Sequence, residues 1–251
     1  MPKIISIHSF RGGTGKSNTT ANLAALLAAD QKRVGVIDTD IQSPGIHVLF
    51  GLDESSITYS LNDYLWGKCA IEQTAMNVTS RLGKDIGGQV FLIPASIKAG
   101  EIARVLREGY DVSMLNDGLY QLVRTLKLDV LLIDTHPGLN EETLLSIAIS
   151  DALAVVLRPD QQDYQGTSVT VEVARKLRVP HMVLIVNKVP HMFDADEVRQ
   201  RVEQTYNCDV AAVIPHSDEL MALASADIFA LRYPDHLLTM AYRQIMNALI
   251  G

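Results

Sequence analysis

Several residue types and segment types that define protein classes are scarce or missing in this 251-residue chain. It contains only 2 cysteines, Cys69 and Cys208, too few for a disulfide scaffold or for a four-cysteine metal site within one chain. No apolar run approaches the roughly 18 residues that a membrane-spanning helix requires. The first apolar segment is also too short for a secretory signal. We therefore expect a cytoplasmic protein.

Basic residues do not dominate either: 22 Lys and Arg stand against 29 Asp and Glu, for a formal net charge of −7. The acidic excess extends over both halves of the chain, so neither half resembles a basic nucleic-acid-binding domain. Hydrophobic residues make up 47% of the chain, which is typical of a globular protein and excludes a disordered one. With no linker, repeat or low-complexity segment in the sequence, we assign residues 1–251 to a single domain.

Strand-like and helix-like patterns alternate along the chain. Apolar runs of strand length occur at 3–9, 33–38, 89–93, 129–134, 152–157, 181–186 and 210–214. Helical patterns occur at 16–30, 115–126, 169–177, 198–206 and 235–249, and we interpret 51–88 as short helices and loops. Uniformly apolar strands alternating with helices predict an α/β fold, with a mainly parallel, doubly wound sheet covered by helices on both faces.

The strongest functional signal is the segment 9–17, S-F-R-G-G-T-G-K-S, between the first predicted strand and the first predicted helix. Glycines at Gly12, Gly13 and Gly15 let the backbone turn tightly and approach a ligand. Backbone N–H groups of such a loop bind phosphate, reinforced by the N-terminus of the following helix. The segment therefore predicts a phosphate-binding loop.

Two polar residues follow these glycines. The Lys16 ammonium is placed to reach β- and γ-phosphates, and the Ser17 hydroxyl is placed to ligate Mg²⁺. A standard P-loop has its first glycine where this chain has Phe10, so the motif is a variant.

The variant resembles the motif K-G-G-x-G-K-[ST] of the deviant Walker A ATPases, the MinD/ParA superfamily. The resemblance implies that the whole segment Gly12, Gly13, Thr14, Gly15, Lys16, Ser17 and Asn18 binds ATP, with Lys16 also catalytic. Arg11 stands where the family has a signature lysine that crosses a dimer interface to the partner's ATP. Arginine carries the same charge on a planar fork, so we expect Arg11 to take this catalytic role. The alternative is a solvated loop charge.

Three aspartates end predicted strands, where a parallel sheet presents its ligand-binding edge. The resemblance implies that Asp38 and Asp134 belong to the Mg²⁺ shell and that Asp40 in switch I is required for hydrolysis. Capping of the next turn is the alternative for Asp40. The segment D-T-H-P-G resembles switch II, which implies that Gly138 offers its N–H to the γ-phosphate. For His136 in this segment, we favour a plain surface position over a role in gating hydrolysis.

Two later strand ends resemble the family's base pocket. The segments V-L-I-V-N-K and V-I-P-H imply that Asn187 and the backbone around Pro215 hold the adenine. An asparagine side chain both donates and accepts hydrogen bonds, as recognition of a base edge requires. A structural role for Asn187 and simple strand termination by Pro215 are the alternatives.

Members of the superfamily differ in what they bind besides ATP. The segment 236–251 has a single basic residue, Arg243, so we do not expect direct membrane binding. Nonspecific DNA is left open as a partner because of two basic clusters, which are Arg175, Lys176 and Arg178, and Arg199 and Arg201. Solvated helix faces are our favoured interpretation of these clusters. An iron–sulfur cluster is not expected, because Cys69 and Cys208 are far apart in sequence.

These observations predict an ATP-dependent dimerising switch that hydrolyses ATP with Mg²⁺ and positions or partitions cellular cargo. The resemblance implies a homodimer with ATP sandwiched at its interface, and an adaptor protein that stimulates slow hydrolysis. One alternative is a ligase or synthetase that phosphorylates a small carboxylate. Another is a degenerate member that binds ATP as a scaffold.

Overall fold

The computed structural model describes residues 1–83 and 86–251, and their strands form one eight-stranded sheet in the order β3-β4-β2-β5-β1-β6-β7-β8. All neighbouring strands are parallel except β3, which pairs antiparallel with β4 at one edge. The prediction of a mainly parallel sheet is confirmed. The strands are β1 Lys3–His8, β2 Arg33–Asp38, β3 Met76–Asn77, β4 Gln89–Ile93, β5 Val130–Asp134, β6 Ala152–Leu157, β7 His181–Val189 and β8 Val210–Pro215.

Helices cover both faces of this sheet. One apolar core lies between the sheet and the helices α1 and α11, and two further cores lie under α5 and under α7 with α8 on the opposite face. The doubly wound α/β architecture is therefore as predicted. The helices are α1 Lys16–Ala29, α2 Ile46–Leu49, α3 Leu61–Leu65, α4 Ala99–Glu108, α5 Val112–Thr125, α6 Glu141–Ala148, α7 Gln161–Lys176, α8 Ala195–Tyr206, α9 Asp218–Leu223, α10 Phe229–Arg232 and α11 Leu237–Ile250.

Strand register places the polar strand ends side by side. Strands β5 and β6 are buried along their whole length, which explains their uniformly apolar sequences. Asp38 at the end of β2 pairs in register with Asp134 at the end of β5, and Ile7 of β1 pairs with Asp134 from the other side. The loop that leaves β1 therefore starts beside two carboxylates.

Among the described residues, five helices and one strand were not predicted: α2, α4, α6, α9, α10 and β3. Only Val105 is buried in α4, so this surface helix has a weak apolar signal, and the two-residue β3 is too short to show a period. The prediction of short helices and loops at 51–88 is confirmed for its described residues apart from β3, and 84–85 lie outside them. The other unpredicted helices are short: α6 has 8 residues, α9 has 6, and α2 and α10 have 4 each. Within 1–83 and 86–251, no helix is long and apolar enough to cross a membrane.

Candidate functional site

The glycine-rich loop joins β1 to α1 at the carboxyl edge of the sheet. Gly13 and Gly15 have φ values of +75° and +104°, in the left-handed region that favours glycine. A Cβ built on Gly15 would also overlap the side-chain amide of Asn187. Gly15 directly precedes α1, so the free N–H groups of the first helical turn lie at the loop. This geometry fits a bound phosphate.

A cleft of about 350 Å³ opens over this loop. It gathers residues from four separate segments of the chain. Most of the predicted phosphate-loop residues line it, together with Asp40 and three residues that sequence reasoning did not assign. The lining residues are Gly12, Gly13, Gly15, Lys16, Ser17, Asn18, Asp40, Ser43, Pro137 and Lys188.

Beneath the phosphate loop, buried carboxylates outnumber buried ammonium groups. Lys16 is 7% exposed, and Asp38 and Asp134 are 0% and 2% exposed. Burial lowers the pKa of Lys16, although the neighbouring carboxylates act in the opposite direction. Burial, together with the charges of Asp134 and Asp40, raises the pKa of Asp38 well above its usual range. Burial raises the pKa of Asp134 to about 6, against the opposing effects of Ser17 and Lys16.

This charge distribution fits a magnesium–nucleotide complex. Two buried carboxylates share one ammonium, so an additional cation is needed to stabilise both in the charged form. Carboxylate and hydroxyl oxygens are the ligands that Mg²⁺ prefers, and Mg²⁺ usually keeps waters and substrate phosphates in its shell. Among the described residues, no group of three or more His, Cys, Asp or Glu forms a metal cage. The residues Ser17, Asp38 and Asp134 therefore suit a hydrated Mg²⁺ that arrives with a nucleotide.

Switch I and switch II meet at Asp40. The Oδ1 atom of Asp40 lies 2.6 Å from Nδ1 of His136 and accepts the backbone N–H of Ser43 at 3.1 Å. The His136 side chain is only 22% exposed. The interpretation of His136 as a plain surface residue is therefore wrong, because the ring is held against a second loop.

Gly138 adopts the left-handed conformation that its position in switch II requires, with φ +85°. Its N–H donates to the Ser9 carbonyl at 3.2 Å. The predicted contact between this N–H and the γ-phosphate would replace that bond, and it stays a prediction.

The predicted base-pocket residues occupy different environments. Asn187 is buried, and its Nδ2 donates to the Thr14 carbonyl at 2.7 Å while its Oδ1 accepts the Lys188 N–H. The amide nitrogen thus supports the phosphate loop, in agreement with the structural alternative. Pro215 is exposed at the end of β8. Adenine binding by these two residues stays a prediction.

Arg11 lies in an ion-pair network within its own chain. Its Nη1 is 3.4 Å from Asp160 Oδ1 and 3.3 Å from Asp163 Oδ1. Arg158 pairs with the same two carboxylates, at 3.2 Å and 3.0 Å. Asp160 also caps α7. The alternative of a freely solvated Arg11 is wrong, and its contact with a second subunit stays a prediction.

The basic clusters considered for DNA binding make contacts within the chain. Arg175 donates to two backbone carbonyls at the C-terminal end of α8, and Lys176 forms a 3.0 Å ion pair with Glu172. Arg199 pairs with Glu203 at 3.7 Å. These contacts agree with structural and solvated roles.

The cysteines and the C-terminal helix also have clear positions. Cys69 follows α3, near the β3 edge of the sheet, whereas Cys208 lies in the turn between α8 and β8 at the opposite edge. The two thiols therefore form no pair within the chain. Helix α11 packs its Tyr242 and Ile245 into the core beside α1, as expected of a helix that belongs to the domain.

Two functional neighbours had no sequence signal of their own. Lys188 lines the cleft, and its Nζ donates to the Gly13 carbonyl at 2.8 Å. His8 ends β1, and burial together with the charge of Lys16 lowers its pKa to about 3. Since the Thr135 hydroxyl donates to the Ile7 carbonyl, it accepts from His8 Nδ1, which fixes a neutral tautomer. Only the fold brings these groups to the loop.

Comparison with known proteins places this site in a family. A family model described as ParA, NUBPL iron-transfer P-loop NTPase, matches residues 1–250. An uncharacterized ATP-binding protein of Methanocaldococcus jannaschii is 29% identical over 98% of this chain and 87% of its own length. The septum site-determining protein MinD of Bacillus subtilis is 26% identical over 100% of this chain and 90% of its own length.

A solved structure agrees at the level of the fold. The septum site-determining protein MinD of Pyrococcus horikoshii, complexed with Mg-ADP, superposes with a TM-score of 0.78 at 21% identity and covers 98% of this chain and 95% of that one. The glycine loop, the strand-end carboxylates and these likenesses agree, and the chain belongs to the ParA family of P-loop NTPases, within the MinD/ParA superfamily.

Proposed function

We propose that this protein is a cytoplasmic ATP-dependent switch, which hydrolyses ATP to ADP and phosphate and thereby positions or partitions a cellular cargo. The strongest support comes from the pair of buried carboxylates Asp38 and Asp134. They lie near Lys16, which directly follows the glycine-rich loop. The Mg²⁺ of a bound nucleotide would supply the positive charge that this cluster lacks.

Each residue of the site has a role in this proposal. Lys16 and the loop N–H groups bind phosphate oxygens, and Ser17, Asp38 and Asp134 hold Mg²⁺ directly or through water. Mg²⁺, when bound, neutralises charge on the phosphates. Asp40 lines the cleft, where its carboxylate would orient the attacking water.

Switching requires a second copy of the chain. We propose that two ATP-bound copies form a dimer in which Arg11 leaves its partners on α7 and contacts the ATP of the other subunit. An adaptor that links the dimer to cargo would stimulate hydrolysis. The septum-site relative supports a positioning output.

A ligase, a nucleotide-binding scaffold and an iron carrier are the competing functions. A ligase requires an acceptor pocket beside the γ-phosphate, and a scaffold requires that Asp40 be dispensable. The matching family model is described as an iron-transfer NTPase, and carrying an iron–sulfur cluster requires cysteines that come together. Cys69 and Cys208 lie toward opposite edges of the sheet, so we do not favour it.

ATP turnover and light scattering of wild-type protein and Asp40→Ala test this proposal. We expect the variant to bind Mg·ATP normally, to hydrolyse it about 100-fold more slowly and to accumulate as a dimer, because water positioning is lost while the phosphate cradle stays. Dimers should form with ATP and not with ADP. Wild-type turnover by Asp40→Ala would exclude the proposed hydrolytic role, and turnover that depends on an added carboxylate substrate would favour the ligase.

A further inference from the structure

Asp40 and His136 are 96 residues apart in sequence and form a short polar contact beside the cleft, 2.6 Å between Oδ1 and Nδ1. A carboxylate only accepts hydrogen bonds, so the ring must carry its proton on Nδ1. A contact of this length with an ionised acceptor is a charge-assisted hydrogen bond, about twice as strong as a neutral one. The two switch loops are therefore joined at the residue proposed to orient water.

The two residues of this pair face different surroundings. Asp40 lines the cleft over the phosphate loop, whereas His136 does not. One carboxylate oxygen, Oδ1, receives both the imidazole N–H and the backbone N–H of Ser43. The other oxygen, Oδ2, receives no hydrogen bond from the part of the chain that the structure describes. The carboxylate is thus held by one oxygen and has the other available.

His136 is itself held in place by its neighbours. Pro137 follows it and restricts its backbone conformation. The backbone carbonyl of His136 accepts a hydrogen bond at 3.2 Å from the hydroxyl of Thr143, which lies in the first turn of α6. A ring with a fixed backbone and a partly buried side chain is able to fix the orientation of the group that it contacts.

We propose that His136 is a positioning residue for hydrolysis, which holds Oδ1 of Asp40 so that Oδ2 is directed at the attacking water. This inference rests on the proposed function, since it assigns Asp40 the water-orienting role. Its physical basis is that a misplacement of about 1 Å at a reacting group costs roughly 100-fold in rate. His136 does not touch the nucleotide in this proposal, so it acts on turnover and not on ATP binding.

Three substitutions separate positioning from packing. Asparagine places an amide N–H near the position of Nδ1, whereas glutamine places it near Nε2, and alanine removes the donor. We expect His136→Ala and His136→Gln to lower kcat about 10-fold to 100-fold with KM and the Kd for Mg·ATP within about twofold of wild type. His136→Asn should restore most of kcat. Thermal unfolding of each variant checks that it is folded.

A double-mutant cycle with Asp40→Ala supplies the second readout. If His136 acts only through Asp40, then His136→Ala should change kcat no further when Asp40 is already alanine. A wild-type kcat for His136→Ala, an equal loss in the Asn and Gln variants, or additive losses in the double mutant would each overturn the inference. Absence of hydrolysis by the wild-type protein in the same assay would instead contradict the proposed function, and the inference with it.

Discussion

Two clusters of charged residues lie at the carboxyl edge of the sheet, and they differ in how their charges are balanced. In the α7 cluster, two arginines face two aspartates, and each aspartate contacts both arginines. In the phosphate-loop cluster, two buried carboxylates share one ammonium. The α7 cluster consists of Arg11, Arg158, Asp160 and Asp163, and the phosphate-loop cluster consists of Lys16, Asp38 and Asp134.

This difference distinguishes a structural network from a binding site. Hydrogen bonding to Asp163 raises the pKa of Arg158, so the α7 cluster stabilises its own charges. Burial raises the pKa of both Asp38 and Asp134, so the phosphate-loop cluster opposes its own ionisation. A cluster of the second kind is stabilised by a ligand that brings positive charge. We therefore expect substitutions in the two clusters to have different effects.

The largest effect is expected at Lys16. Lys16→Ala removes the ammonium that would contact phosphate oxygens, and we expect the free energy of Mg·ATP binding to weaken by about 2–3 kcal/mol. Calorimetry with Mg·ATP measures it, with Lys176→Ala, an exposed lysine paired with Glu172, as the control. Wild-type affinity in Lys16→Ala would exclude this loop as the nucleotide site.

Asp163 is the corresponding test in the α7 cluster. It is 2% exposed and accepts the backbone N–H and the Nε of Arg158, at 2.9 Å and 3.0 Å. Asp163→Ala should lower the free energy of unfolding by about 2 kcal/mol, because it leaves those donors without their acceptor. Urea unfolding measures the loss. The matched control is Glu172→Ala, whose exposed ion pair should contribute under about 0.5 kcal/mol; equal losses would contradict the account.

Substitution of Asp134 should raise the free energy of unfolding, in contrast to Asp163→Ala. A carboxyl whose folded pKa is about 6, above its usual 3.8, favours folding fully only at low pH, and this contribution is lost as pH rises from about 4 through 6. Asp134→Asn cannot ionise, so the ligand-free variant should be about 1–2 kcal/mol more stable than wild type at pH 7. Urea unfolding at pH 7 and pH 4.5 checks this. A loss of stability at pH 7, or a gain that does not shrink at pH 4.5, would refute the assignment.

Within the two clusters, the smallest effect on folding is expected at Arg11, whose side chain is 38% exposed. Arg11→Ala should change the free energy of unfolding by less than about 1 kcal/mol. ATP binding by the monomer should stay near normal, while light scattering with a slowly hydrolysed analogue should detect no dimers. Arg11→Lys should restore dimers at least in part, because it keeps the charge. Full dimerisation of Arg11→Ala would exclude the contact with a second subunit.

The fold and the phosphate loop could be predicted from sequence because their signals are local. The apolar runs of β2, β4 and β6 have the predicted bounds, and the glycines of 12–15 lie between strand and helix as expected. The contact of Asn187 with Thr14 and the pairing of Asp40 with His136 join segments 173 and 96 residues apart. No local pattern carries such contacts, which depend on the strand order. The sequence therefore indicated an ordinary surface position for His136. Only the adjacency of β2 and β5 in the sheet brings it to Asp40.

The central claim is that Asp38 and Asp134 form an incomplete charge cluster that a magnesium-bound triphosphate completes. Calorimetric titration of the wild-type protein with ATP, with Mg²⁺ and then with a chelator in its place, tests this most directly. We predict saturable binding of Mg·ATP, weakened at least about 10-fold without Mg²⁺, because ATP alone adds negative charge beside two carboxylates. Equal affinity with and without Mg²⁺, or no saturable binding in either condition, would contradict the claim.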